Sequence, residues 1–120
     1  MLLNRKELNY KDGLWYESLI ESSNIIRVDY NTTQNKLYVY FKNKQVYSYT
    51  NVTKELYEQF ENADSQGKFF IKNIRSNPNK YPYAFEFKFT DGELNEMNES
   101  IKEHKEKLKN EKSDSWESKQ

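Results

Sequence analysis

From residue 25 to residue 50, apolar side chains recur at every second position in three short runs, which is the spacing of strands. In Ile25–Asn31, the side chains of Ile26, Val28 and Tyr30 fall opposite those of Ile25, Arg27 and Asp29. In Lys36–Lys42, Leu37, Val39 and Phe41 would face a core, with Tyr38 and Tyr40 on the reverse. In Gln45–Thr50, Tyr47 and Tyr49 share a face. The polar stretch Asn31–Asn35 and the pair Asn43-Lys44 read as turns, so the three runs form an antiparallel meander.

The period then lengthens. Asn51 or Thr53 can cap a helix on which Leu56, Phe60 and Ala63 recur, with Tyr57 beside them. A second short helix starts at Ser65, with Phe70, Ile71 and Ile74 as its apolar side. Lys68, Lys72 and Arg75 stand at i, i+4 and i+7 and would share another face. Asn77-Pro78 ends the helix. Ala84–Phe89 alternates again, which predicts a fourth strand with Phe85, Phe87 and Phe89 together on one side. Thr90-Asp91-Gly92-Glu93 fits a capping box opening a long helix, whose Leu94, Met97, Ile101, His104 and Leu108 make a narrow seam. Near the start, Lys11-Asp12-Gly13 reads as a turn after a short helix or arm.

The fold these patterns predict is α+β: a three- to four-stranded antiparallel β-meander packed by two short helices, plus a C-terminal helical arm. The chain divides into an N-terminal extension at 1–19, a domain at 20–83, an extra strand and amphipathic helix at 84–112, and a tail at 113–120. That tail is expected to be disordered, with Trp116 an odd member of it.

Composition narrows the chemistry. Cysteine is absent and His104 is the single histidine, so thiolate or imidazole metal sites and a Ser-His-Asp triad are not expected. The carboxylates are scattered without a catalytic spacing, and His104 reads as a packed seam residue. No catalytic residue, metal or cofactor is expected. Basic and acidic residues number 19 each, a poor basis for nonspecific duplex binding. Charge is unevenly spread, at +1 over 1–15, +2 over 16–90 and −3 over 91–120. The polar start and the lack of a spanning apolar run predict a soluble, cytoplasmic protein without a membrane partner. Heavy use of Asn, Lys, Ile and Tyr fits an AT-rich bacterial or viral coding genome.

An ordered set of residues carries a family resemblance. It runs Ser22-Ser23-Asn24-Ile25, Asp29-Tyr30, Leu37-x-Val39-x-Phe41, Tyr47-Ser48-Tyr49 and Asn51-Val52. It continues with Tyr57, Phe60, Ala63 and Ser65-x-Gly67-x-Phe69-Phe70-x-x-x-Ile74-Arg75. This set resembles the KTSC domain, a small α+β module named after the C-terminus of certain lysyl-tRNA synthetases, and similar to domains found alone in bacterial and phage proteins. The resemblance covers about half of the chain. Thr53 stands where the family usually has proline, Ile71 where it often has asparagine, and the tyrosine usual after the arginine is missing beside Arg75. The family implies no established activity; RNA binding has been suggested for it by association with tRNA synthetases.

The expected ligand site combines Tyr47 and Tyr49, as rings for a base to stack on, with Ser65, Gly67, Lys68, Lys72 and Arg75 for a phosphate. Tyrosines packed beneath the helices, a solvated lysine face, and an Arg75 bonded to strand carbonyls or to Asp29 are the competing readings. The expected function is non-catalytic recognition of a phosphate-bearing nucleotide. A phage protein sequestering a cyclic nucleotide immune signal is one form of it. RNA binding and protein–protein interaction are the alternatives. The seam of the last helix also predicts a homo-oligomer.

Overall fold

The computed structural model describes residues 1–117, with side chains through residue 109. Six antiparallel strands follow one another in chain order across a single sheet: β1 (Lys6–Tyr10), β2 (Gly13–Leu19), β3 (Ile25–Asn31), β4 (Lys36–Phe41), β5 (Gln45–Tyr49) and β6 (Tyr83–Lys88). Between β5 and β6 lie α1 (Lys54–Glu61) and α2 (Gln66–Phe70), and α2 runs on as a π-helical turn over Ile71–Arg75. The last helix, α3, spans Asp91–Glu117. Of the tail expected from 113 onward, residues 118–120 lie outside the described residues.

The meander of β3, β4 and β5 has the expected turns, and Thr53 and Ser65 cap α1 and α2 through their hydroxyls on the amides of Leu56 and Lys68. The expected strand count is too low. The N-terminal segment is not a helix or arm but the hairpin β1–β2. Its turn needs Gly13 at φ +116°, and a Cβ there would stand 2.1 Å from the Thr33 hydroxyl. Periodicity hid β2 because both of its faces are covered. Leu14 and Tyr16 join one core, while Trp15 packs on Tyr38, Glu17 pairs with Arg27 and Leu19 joins the other core.

Two cores result, one on each side of the sheet. On the first side, Tyr16, Val28, Tyr30, Leu37, Val39 and Tyr49 meet Tyr57 and Phe60 of α1, Phe70 of α2 and Ile74 of the π turn. Tyr30 and Tyr57 stack with centroids 4.4 Å apart and planes 5° from parallel. The Tyr30 hydroxyl donates to the Val52 carbonyl at 2.7 Å. On the second side, Ile26, Tyr40, Val46 and Phe89 are covered by Leu94, Met97 and Ile101 of α3. The reciprocal Thr90–Glu93 bonds open this helix as a capping box.

Two irregularities redistribute side chains between the faces. A register shift between Ile25 and Arg27 puts Ile26 in the second core, away from Val28 and Tyr30. Another, where β6 carries the extra residue Glu86 opposite the Val46–Tyr47 step, separates the three phenylalanines expected on one face. Phe85 goes to the Tyr47 side, while Phe87 and Phe89 go to Tyr40 on the other side.

Beneath α1, the Arg5 guanidinium lies 3.5 Å from the Tyr16 ring centroid and 3.4 Å from the Glu61 carboxylate, whose side chain is 9% exposed. Burial pushes the Glu61 pKa above its ordinary value, against the pull of Arg5. A carboxyl raised in this way favours the fold while protonated, and that contribution is lost as pH rises through the folded pKa. Glu61→Gln is therefore expected to melt higher than the parent at pH 7. The gap should close as pH falls below the ordinary glutamate range of about 4.3. A gap of equal size at pH 7 and pH 3.5 in thermal melts would refute this account.

Candidate functional site

β5 runs along the floor of an open groove of about 500 Å³ on the first side of the sheet. That volume lies in the usual range for small-molecule sites. Because strand side chains alternate, Gln45, Tyr47 and Tyr49 all point to this side. Phe41 and Asn43 close one end, and Arg75 and Pro78, from the π turn and the loop after it, close the other. Tyr83 of β6, paired with Tyr49, forms part of the outer wall.

The two floor tyrosines differ. Tyr49 is 5% exposed and meets Phe70 edge-on with centroids 5.0 Å apart. Burial pushes its pKa up to about 12, with the Arg75 guanidinium opposing the rise. Tyr47 is half-buried, edge-on to Phe41 at 6.1 Å and to Phe85 at 5.6 Å. Tyr83 is 62% exposed and lies 6.2 Å from Tyr47. Tyr47, Tyr83 and the half-buried Phe41 are therefore the accessible aromatic surface, and Tyr49 is a buried part of the floor.

Arg75 is exposed and, among the described residues, makes no ion pair or hydrogen bond. Asp29, its expected rival partner, is taken by Arg27, with both contacts at 2.9 Å and the Tyr40 hydroxyl donating at 3.1 Å. The π turn accounts for the position of Arg75. Ser76 N–H donates to the Ile71 carbonyl five residues back, at 3.1 Å. The extra residue in that turn rotates Arg75 out of the stripe that regular helical winding would share with Lys68 and Lys72.

Tyr47, Tyr49 and Arg75 thus meet in one groove, and Ser65, Gly67, Lys68 and Lys72 do not line it. Ser65 is the α2 cap, and Lys68 and Lys72 are exposed on the helix surface. Gly67 is buried against the β2–β3 turn, where a Cβ would come 2.9 Å from the Ser22 hydroxyl. The groove also includes Phe41, Asn43, Gln45, Pro78 and Tyr83, which the expected site lacked. Gln45 was legible, since it stands two residues before Tyr47 on the same face. Tyr83 was not, because its place depends on β6 pairing with β5.

A smaller hollow of about 220 Å³ lies between α3 and the first three strands, and its Arg27 and Glu17 are already paired. Among the described residues no cluster of three or more His, Cys, Asp or Glu side chains could hold a metal ion. No helix among them is long and apolar enough to cross a membrane.

A meander sheet with two helices on one side and an aromatic groove beside them defines a small α+β module. The chain belongs to the KTSC domain family, whose model matches residues 21–81. Its fold is similar to the crystal structure of a KTSC domain protein from Yersinia pestis, with a TM-score of 0.55 and 23% identity, covering 61% of this chain and 99% of that one. No curated protein matches the chain. β1, β2, β6 and α3 all lie outside the matched residues.

Proposed function

We propose that this chain is a non-catalytic binding protein that takes a phosphate-bearing nucleotide in the β5 groove. A phage protein that sequesters a cyclic nucleotide signal is the biological form we favour. The observation that carries the reading is Arg75, a guanidinium with no partner among the described residues, at one end of a groove whose accessible aromatic surface includes Tyr47 and Tyr83. A guanidinium grips a phosphate with two parallel donors, and an aromatic ring accepts any base by stacking. One cation suits a small ligand better than a long polymer, which needs several phosphate contacts.

Calorimetric titration of the full chain with nucleoside monophosphates, cyclic dinucleotides and a single-stranded RNA oligomer tests the proposal. Saturable binding of the small nucleotides is expected. Binding of the RNA alone would favour the RNA reading, and no binding by any of them would reject both. A protein–protein reading has its own support in β6, an edge strand on which Tyr83, Phe85 and Phe87 are all exposed.

A further inference from the structure

We infer that two copies of this chain pair antiparallel through β6, about a two-fold axis at Ala84, into one continuous sheet. The sheet ends in two edges, β1 and β6, and they differ. β1 meets solvent with Lys6, Glu7 and Asn9, charged and polar residues of the kind that discourage pairing at an edge. Its one exposed ring, Tyr10, sits at the hairpin turn. All six residues of β6 are exposed, and Tyr83, Phe85 and Phe87 stand at 62%, 52% and 43% exposure. Their rings lie on both faces of the strand, Tyr83 and Phe85 on the groove side and Phe87 on the other. A helix laid on one face would leave the other bare. A strand added at the edge covers both.

The geometry of β6 selects a second copy as that strand. The Pro82 carbonyl accepts from the Thr50 N–H at 3.0 Å, and Ala84 stands opposite Ser48, so Pro82 and Ala84 turn their backbone groups toward β5. Tyr83 and Phe85 then turn theirs to the open edge. Antiparallel pairing centred on Ala84 sets Tyr83 opposite Phe85 of the second copy, and Phe85 opposite its Tyr83. Each pair exchanges backbone hydrogen bonds and brings two rings together on the groove side. Ala84 meets its own copy at the axis, the closely spaced position of such a ladder, where a small side chain fits. Pro82 lacks an N–H, but its backbone faces β5, so the new ladder loses no donor. β6 carries one Glu86 and one Lys88, so two copies meet without a build-up of like charge. The exposed halves of the three rings offer about 300 Å² per copy, at roughly 150–250 Å² for a whole aromatic side chain. That places the contact among small, reversible interfaces of less than about 1,200 Å² in total.

The chain has no cysteine, so Ala84→Cys places a single thiol per copy at the axis. Opposed Cα atoms at that position stand about 4.5 Å apart, within the roughly 4.4–6.8 Å that a disulfide spans. Mild oxidation of full-length Ala84→Cys should give a covalent dimer, and Lys88→Cys, further along the strand from the axis, should not. Sedimentation of the parent chain across the micromolar range should show a monomer–dimer equilibrium. Phe85→Lys, which sets a charge on the paired edge, should weaken that dimer at least about tenfold. A parent chain that stays monomeric, with no crosslink through Ala84→Cys, would overturn the inference. A dimer unaffected by Phe85→Lys, or crosslinking as ready through Lys88→Cys, would overturn it by moving the contact elsewhere. Open-ended assemblies in place of a dimer would indicate β6 pairing with β1 of the next copy, and would overturn it as well. If Phe85→Lys fails to fold, the crosslinking comparison still decides. None of these outcomes depends on the nucleotide reading.

Discussion

Phe70→Ala is expected to destabilise the fold by about 3–5 kcal/mol, the cost of emptying a buried phenylalanine site. Phe70 is 1% exposed and stands where α2 passes into the π turn. Its ring meets Tyr49 edge-on at 5.0 Å and Phe41 at 5.9 Å, so it couples the helix to both strands beneath the groove. Removing it leaves a cavity between rigid strands, which can close only by moving the helix. A small domain has about 5–15 kcal/mol of stability in total, so the loss should lower the melting temperature by roughly 10 °C or more. The neighbouring Ile71 is exposed, and Ile71→Ala should change stability by no more than about 0.5 kcal/mol. Chemical denaturation of both variants decides the matter. Equal losses in the two would mean that the helix is not anchored through Phe70.

Arg75→Ala should leave that stability unchanged and weaken ligand binding by about 1.5–3 kcal/mol, or roughly ten- to a hundredfold. The first half follows from exposure and the lack of any partner among the described residues. The second follows from the loss of a charge-assisted contact in a groove that no other cation lines among the described residues. Arg75→Lys should recover part of the affinity, because lysine supplies the charge without the planar fork. Melting and titration of the same preparations separate the outcomes. A large drop in melting temperature would make Arg75 structural, and unchanged affinity would move the phosphate elsewhere.

Where the sequence was legible, the two faces of an element carried different kinds of side chain, or a cap named the boundary. β4 shows the first case, with aliphatic Leu37 and Val39 under the helices and Tyr38 and Tyr40 on the reverse, and Thr53, Ser65 and Thr90 show the second. β2 was illegible because α3 and the β3 charges cover its second face, so Trp15, Glu17 and Leu19 break the alternation. The split of Phe85 from Phe87 was illegible because one extra residue in a strand leaves no mark on composition. The seam of α3 was visible as an apolar packing face. Leu94, Met97 and Ile101 cover the chain's own sheet, while Leu108 stays exposed further along. In the groove, Tyr47, Tyr49 and Arg75 were visible by residue type and spacing. Ser65, Gly67, Lys68 and Lys72 shared a motif with Arg75 without sharing its surroundings.

The winding at Ile71–Arg75 bears on how related chains should be compared. A chain of the same length that wound those five residues as regular α-helix would keep every charge and every apolar anchor before them, yet carry the guanidinium on around the helix axis by most of the roughly 100° that one residue spans. Such a chain would align well and fold alike, yet its groove would lose the guanidinium. Shared ancestry and shared ligand can therefore part company over the winding of one turn. An arginine at the matching column is informative only where the turn between it and the Phe70 anchor is wound in the same way.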